Sequence, residues 1–475
     1  MSDDDIPADQ TDDSSTTNNT ETAADGGAVE TEAPESRFWG VVPPAWELVD
    51  GTDIYDVNPS YAPEEEEITY IEMGALDTEL PFPKYTKKRK AADYSGKLFC
   101  EGDSLFARIT PCTENGKAAF VDDMETDIGI GSTEYAVLSP DRERIHPLYL
   151  YYLAKSHPVR NYAISRMRGS TGRQRVPFSV FRKELDVSLP PLSEQRKIAS
   201  ILYTVDEGIQ KTDQITRKLK RVNRGIRQDI LSFGVNEEGE LRTSSEEVTE
   251  GRKETEWDTV PNSWQVKELS SVCSLQVGYA FKSKWYKDEG NVRVLRGANV
   301  GYGEPDWSET RYLEEDRVPE YEEYRLKEGD MIIGMDRPLT NSGFKLSTIS
   351  DEDIPSLLVQ RVGRFRPEGC DSNYLNVVLN DWRYQKQVIR RGQGMDIPHI
   401  SKSDILAPKV PIPSEAEQKR IAQIYATQQE KVEKERELLN EFKCLKQGLM
   451  HDLLQGDVRT DSISLEICSK VSSHE

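Results

Sequence analysis

The 475-residue sequence predicts an α+β protein: two globular α/β domains separated by two long antiparallel coiled-coil helices, with a pseudo-two-fold internal repeat. Three observations predict it. A Pro…Glu-Gln-x-x-Ile-Ala opening occurs twice, at Glu194-Gln195-Arg196-Lys197-Ile198-Ala199 and at Glu417-Gln418-Lys419-Arg420-Ile421-Ala422, with Gln195 and Gln418 set 223 residues apart. Each opening leads into a run with apolar residues mostly three and four apart, the spacing of one helix face. Each run follows a stretch of short, β-rich segments separated by turns.

In chain order the expected parts are an acidic disordered tail (1–36), a first domain (37–190), a first helix (191–234) and a polar linker (235–256). A second domain (257–412), a second helix (413–457) and a frayed tail (458–475) complete the chain. The first tail holds eleven acidic residues, no Lys or Arg and almost no large apolar residue, so it buries too little surface to offset chain entropy. The first domain opens with Val42-Pro43-Pro44-Ala45-Trp46, echoed by Val260-Pro261-Asn262-Ser263-Trp264. A strand, a Glu101-Gly102-Asp103 turn and a second strand follow, matched by Glu328-Gly329-Asp330. Further strands are expected at 116–121 and 132–138, and helices from Pro147 and from Ser372. Each domain closes on a basic glycine-containing loop, read as flexible: 168–177 and 390–398.

The first helix is expected to carry Ile198, Ile201, Leu202, Val205, Ile209, Ile215, Leu219, Val222, Ile226 and Ile230 on one stripe, with Ser193 as N-cap. The second carries Ile421, Ile424, Tyr425, Val432, Leu438, Phe442, Leu445, Leu449 and Leu453. A stripe that long and narrow calls for a coiled-coil partner, and each helix is the obvious partner of the other.

Composition limits the function. The 84 acidic against 61 basic residues give a net charge of −23, a balance that ordinarily argues against phosphate binding. The acidic tail supplies nearly half the excess, and a salt-adapted surface is one of two open explanations for the rest. Six scattered cysteines and five dispersed histidines form no metal-ligand or disulfide pattern, which suits a reducing cytoplasm. No apolar run approaches the ~20 residues of a membrane helix. Asn58-Pro59-Ser60-Tyr61 lacks the glycine-rich cofactor loop that an adenine methyltransferase needs, and no GxxxxGK[ST] phosphate loop is present. No metal site and no catalytic constellation is expected.

Two like halves tend to pack about a pseudo-two-fold axis. Two binding units held at fixed separation suit a long regular ligand with two half-sites, and duplex DNA is such a ligand. A coiled-coil scaffold or adaptor without DNA readout is the competing reading.

The doubled Glu-Gln-x-x-Ile-Ala openings, each leading to a long helix that ends near Asp229-Ile230-Leu231 or Asp452-Leu453-Leu454-Gln455-Gly456, resemble the conserved regions of type I restriction–modification specificity subunits. The run from Glu101 to Lys117 and Gly131-Ser132-Thr133-Glu134 look like the core of that family's target-recognition domain. The second domain departs from it, with Arg337-Pro338-Leu339-Thr340 where the first has Ile109-Thr110-Pro111-Cys112. The resemblance implies a subunit with no catalytic site, whose recognition domains each read half of a bipartite double-stranded DNA target. It implies helices that set the spacing and dock modification (methyltransferase) subunits, two of them, with restriction subunits joining that complex. It further implies that S-adenosylmethionine, ATP and Mg2+ sit on those partners, with no cofactor bound by this chain.

Base readout needs Arg, Asn or Gln on a loop able to enter the major groove. Candidates in the first domain are Arg108, Thr110, Lys117, Arg168, Arg173, Gln174 and Arg175. In the second they are Lys282, Arg296, Asn299, Arg337, Lys345, Arg390, Arg391 and Gln393. Glu194, Gln195, Glu417 and Gln418 are read first as helix-start residues and, from the resemblance, as subunit-docking residues.

Overall fold

A computed structural model describes residues 34–36, 38–93, 95–242, 251–340, 343–391, 399–460, 463–464 and 467–474. Its helices are α1 (Pro147–Lys155), α2 (His157–Ser165), α3 (Leu192–Phe233), α4 (Ser372–Leu379), α5 (Trp382–Arg391), α6 (Lys402–Leu406), α7 (Glu415–Gln455) and α8 (Ser469–Ser472). The chain forms two compact units: one of residues up to Thr204 together with those from Gln447 onward, the other of Val205–Lys446. Each unit therefore holds one globular domain, the start of one long helix and the end of the other. Among the described residues no helix is long and apolar enough to cross a membrane.

The first unit builds two four-stranded sheets. One runs in the order Lys87–Lys90, Glu67–Ile71, Ile128–Gly131, Lys97–Cys100; the other runs Tyr55–Val57, Tyr135–Pro140, Ser104–Ala107, Ala118–Phe120. The strands flanking the Glu-Gly-Asp turn thus enter different sheets instead of pairing. Gly102 takes φ +95° and the Asp103 carboxylate accepts from the Cys100 amide at 2.8 Å, so the turn is a corner between sheets. Strand Glu47–Asp50 pairs antiparallel with Asp186–Leu189, which leads directly into α3. The second unit repeats the plan. Val362–Pro367 lies between Met331–Gly334 and Cys273–Val277, and Gln265–Glu268 pairs with Lys409–Ile412 just before α7.

In the second unit the two helices run antiparallel. Asp206 meets Lys446 at 2.5 Å, the Asn223 amide donates to the Gln428 carbonyl at 3.0 Å, and Arg227 donates to the Tyr425 hydroxyl at 3.0 Å. The buried seam of α3 falls at Val205, Ile209, Thr212, Thr216, Asn223 and Ile230, a strict seven-residue pattern. The expected stripe needs correction here: Ile215, Val222, Leu438 and Leu445 are exposed. Buried polar residues hold the seam because their bonds are made locally: the Thr216 hydroxyl donates to the Thr212 carbonyl at 2.9 Å within its own helix turn. Ser193 is no N-cap either, since α3 begins at Leu192, whereas the Ser414 hydroxyl does accept from the Glu417 amide at 3.3 Å.

The expectation of a frayed tail after residue 457 is overturned. Val471 is fully buried in the first unit's core, beside Ile467 and Cys468. Its carbonyl lies 3.1 Å from His146 Nε2, and the Cys468 amide donates to the Ser200 hydroxyl at 2.9 Å. His474 and Lys470 both pair with Asp122. Apolar side chains too few to make a domain find a ready-made groove, which a local reading of the sequence does not reveal. The linker is likewise structured at its far end, where Arg252–Glu254 pairs with Thr259–Pro261. Residues 243–250, and the disorder expected of residues 1–33, lie outside the described residues.

Candidate nucleic-acid interface

In the first unit three segments converge. Arg168 and Arg175 exchange backbone hydrogen bonds of 2.9 Å, so the basic loop is a pinned hairpin and not the flexible loop expected. The Val176 amide donates to the Arg108 carbonyl at 2.8 Å, and the Arg108 amide to the Glu134 carbonyl at 3.0 Å. This backbone ladder brings three side chains together. Glu134 Oε1 accepts from Arg175 Nε and Nη2, both at 2.8 Å, while its Oε2 lies 3.5 Å from Arg108 Nη2. Arg108 also sits over the Phe178 ring at 4.2 Å and donates to the Val176 carbonyl at 2.7 Å. Burial pushes the Arg108 guanidinium below its usual pKa, and Glu134 opposes that shift.

The remaining first-unit candidates divide. Arg168 and Arg173 are exposed, and Gln174 is half-buried with its carbonyl accepting from the Thr110 amide. Thr110 donates its hydroxyl to Glu114, and Lys117 donates to the Met73 carbonyl, so both polar groups turn toward their own unit.

The second unit builds the same ladder at equivalent positions. The Met335 amide donates to the Arg361 carbonyl at 3.0 Å and the Ile400 amide to the Met335 carbonyl at 2.9 Å. Asp336 bridges His399 as Ile109 bridges Arg175. The charges are reversed. Arg361 stands where Glu134 stood, and the acid is now Asp336, which pairs with Arg361 at 2.9 Å and His399 at 2.7 Å. Burial would raise the Asp336 carboxyl, but His399 and Arg361 hold it below its usual value. Next to this junction lies a cavity of about 540 Å3 lined by Arg296, Arg337, Lys345 and Arg361, with Asp336 as its acidic residue. Arg337 and Arg361 both take positive φ, 45° and 62°, a costly conformation for any residue with a Cβ and one that clusters at functional sites.

Three second-unit candidates thus share one cavity wall. Arg296 and Lys345 are partly tied, to the carbonyls of Glu309 and Gly297 respectively. Lys282 is exposed and lies 5.4 Å above the Trp285 ring. Arg390 and Arg391 are exposed in the last turn of α5. Asn299 must be corrected: it is fully buried, and its amide donates to the carbonyls of Asp306 and Glu309 while its oxygen accepts from Arg296. It shapes the loop and offers nothing to a ligand. Gln393 lies outside the described residues.

Sequence reasoning missed Arg361 and the exposed edge strand Lys87–Lys90. The signal for the strand was present as an unbroken Lys87-Lys88-Arg89-Lys90 run, the kind of basic patch that meets phosphates. Three of its residues are paired with carboxylates: Lys87 with Glu72, Lys88 with Glu125 and Lys90 with Glu66.

The four residues read as docking groups also need correction. Glu194, Gln195, Glu417 and Gln418 are 2%, 0%, 4% and 3% exposed, so their side chains are committed to the fold instead of forming an open docking surface. They are fastenings, built identically in each unit. Trp46 Nε1 donates to Glu194 and Trp264 Nε1 to Glu417, each at 3.0 Å. The second carboxylate oxygen takes a backbone amide from beyond the end of the other helix: Thr460 on Glu194, Val235 on Glu417. An arginine follows in each case, Arg459 at 2.9 Å and Arg242 at 2.9 Å. Gln195 accepts from the His146 amide and donates to the Pro190 carbonyl; Gln418 accepts from Asp371 and donates to Pro413. Gly456 and Gly234, with φ +79° and +75°, close the two helices where a Cβ would strike Pro43 or Glu417.

A different surface is open on the helices. Ile215 and Val222 each precede a seam residue of α3 by one, and in α7 Leu438 precedes the half-buried Leu439 and Leu445 the buried Lys446. In an antiparallel pair that register puts all four on the same flank, as an exposed apolar stripe within the second unit.

The family described as type I restriction modification DNA specificity domain matches residues 51–221 and 261–443. The chain is 29% identical to the EcoAI specificity subunit of Escherichia coli, over 80% of this chain and 77% of that one. It is also 29% identical to the MjaVIII specificity subunit of Methanocaldococcus jannaschii, over 71% and 76%. The crystal structure of the type I restriction-modification S subunit from M. genitalium is similar in fold, with a TM-score of 0.52, 16% identity and coverage of 86% and 96%.

Proposed function

The chain belongs to the type I restriction–modification DNA specificity family, and on that premise we propose how it divides the task of reading DNA. Each unit reads one half of a bipartite target, and α3 with α7 sets the distance between the halves. The observation behind this reading is the duplicated backbone ladder, which presents different charged side chains in each unit, Arg175 and Glu134 in one and Arg361, Asp336 and His399 in the other. Two copies of one scaffold with unlike readers suit two unlike half-sites. A family match spanning both domains disfavours a scaffold without DNA readout.

On this reading the chain itself is non-catalytic and works in the cytoplasm. The modification subunits, two per chain, bring S-adenosylmethionine, and the restriction subunits bring ATP and Mg2+. The modification subunits dock on the apolar stripe of Ile215, Val222, Leu438 and Leu445, because solvent-exposed aliphatic residues at coiled-coil spacing suit further helices. The exposed basic strand Lys87–Lys90 tracks the DNA backbone.

The test is a footprint of the chain co-expressed with its modification subunit. It should protect two short sequences separated by a fixed gap. Protection without sequence preference would refute the specificity reading. Replacing Ile215 and Leu438 by Ser should abolish co-purification of the modification subunit while leaving the melting temperature of the free chain nearly unchanged.

A further inference from the structure

The arginine–glutamate junction of the first unit has a donor arithmetic that points to one base. A guanidinium offers five N–H groups. On Arg175, Nε and one N–H of Nη2 go to Glu134 Oε1 at 2.8 Å, and one N–H of Nη1 goes to the Arg173 carbonyl at 3.1 Å. One N–H on each terminal nitrogen is left, and together they form the outer end of the fork. The Arg175 side chain is 41% exposed against 20% for Glu134, so the arginine is the more open of the pair. Two parallel donors match the O6 and N7 acceptors that guanine alone presents together in the major groove.

We propose that Glu134 is a positioning residue that holds Arg175 edge-on to read a guanine in the half-site of the first unit. The proposal rests on the DNA-specificity reading above. It adds which base is read, by which side chain, and why a carboxylate belongs in a surface that must meet phosphate. A lone arginine on a surface loop is a mobile cation that binds any phosphate. One fixed on two sides has a single direction and forfeits little rotamer freedom when it binds. Arg108 beneath, 3.5 Å from Glu134 Oε2, holds the carboxylate in place from its other side. The second unit supports assigning readout to this junction. The same backbone ladder there carries Arg361 in the position of Glu134, and Asp336 with His399 opposite, so the reader differs where the scaffold does not.

The experiment uses the full chain purified with its modification subunits and a pool of duplexes randomised over both half-sites. Bound sequences are counted for the wild type, Arg175→Ala and Glu134→Gln, with affinity measured against salt. Wild type should show a guanine preference in one half-site. Arg175→Ala should flatten that position alone, a loss of about 5- to 150-fold in discrimination, the range of a good bidentate contact. Glu134→Gln should flatten the same position while binding to unrelated duplex tightens, since two arginines lose their counter-charge. Three results overturn the proposal. Arg175→Ala weakening all sequences alike makes Arg175 a phosphate contact. Glu134→Gln tightening binding with the guanine preference intact makes Glu134 a charge brake only. A wild type without any base preference removes the specificity reading itself, a failure visible before either variant is made. Unchanged melting temperatures for both variants separate readout from folding.

Discussion

Replacing Glu194 by Gln is expected to loosen the first unit where α3, Trp46 and the chain beyond α7 meet. The carboxylate is buried against an indole, an arginine and an amide, and breaking such a pair costs about 3–5 kcal/mol. Burial tends to raise the Glu194 pKa, but Arg459, the Thr460 amide and Trp46 hold it below the usual value. A lowered folded pKa stabilises above the unfolded carboxylate range, near 4.3, and that stability is lost as pH falls through the folded value. The protection of amides in 458–474, taken relative to their intrinsic exchange rates at each pH, should therefore fall on acidification in the wild type and be low at all pH in the Gln variant. Asp103 behaves oppositely. Burial pushes its carboxyl up to about 6, against the bonds it accepts from the Cys100 amide and Tyr61. The folded unit then keeps a proton that the unfolded chain releases, so this group's contribution falls as pH rises from about 4 to about 6. Unfolding of Asp103→Asn, measured across that range, should lack this fall. At this scale the sequence identified Glu194 and Glu417 as helix-start residues, which they are, but not what they hold. Their repeated spacing is visible along the chain, whereas the tryptophans that bury them lie about 150 residues away in sequence.

The long helices were legible as elements because periodicity over some 40 residues is hard to produce otherwise. Their phase was not. Apolar residues occupy both the seam and one flank, so a count of three- and four-residue steps slides from one to the other between Ile209 and Ile215. Only the buried Thr212, Thr216 and Asn223 fix the seam, and polar residues are what such a count passes over. Inserting one matched heptad into α3 and α7 should keep the seam in register and lengthen the gap between protected half-sites. An unchanged gap would refute the spacer role. The C-terminal tail was illegible for another reason: Val471 and His474 have no local pattern, and their order comes wholly from the groove they fill. Deleting residues 458–475 should lower the stability of the first unit by several kcal/mol, since it removes Val471 from the core and the partners of Glu194. A melting curve showing an unshifted transition would contradict this.

At the scale of the molecule, the charge balance and the DNA role are reconciled by pairing. The cations of the exposed basic strand are held by carboxylates, Lys87 by Glu72, Lys88 by Glu125 and Lys90 by Glu66. Binding must exchange one partner for another, and fewer counterions are released than the number of basic residues suggests. Affinity plotted against salt, both on logarithmic axes, should have a slope shallower than about −4, a value that corresponds to some four phosphate contacts. A steeper slope would mean these ion pairs open freely. The fastening of the tail to Glu194 has a different consequence, for synthesis. The second unit lies within one continuous stretch, Val205–Lys446. The first unit needs Arg459, Thr460 and Val471, which are made roughly 13–53 s after Thr204 at 5–20 residues per second. The domain made first is therefore finished last, and until then it waits with an open apolar groove, a natural client for a chaperone that holds nascent chains.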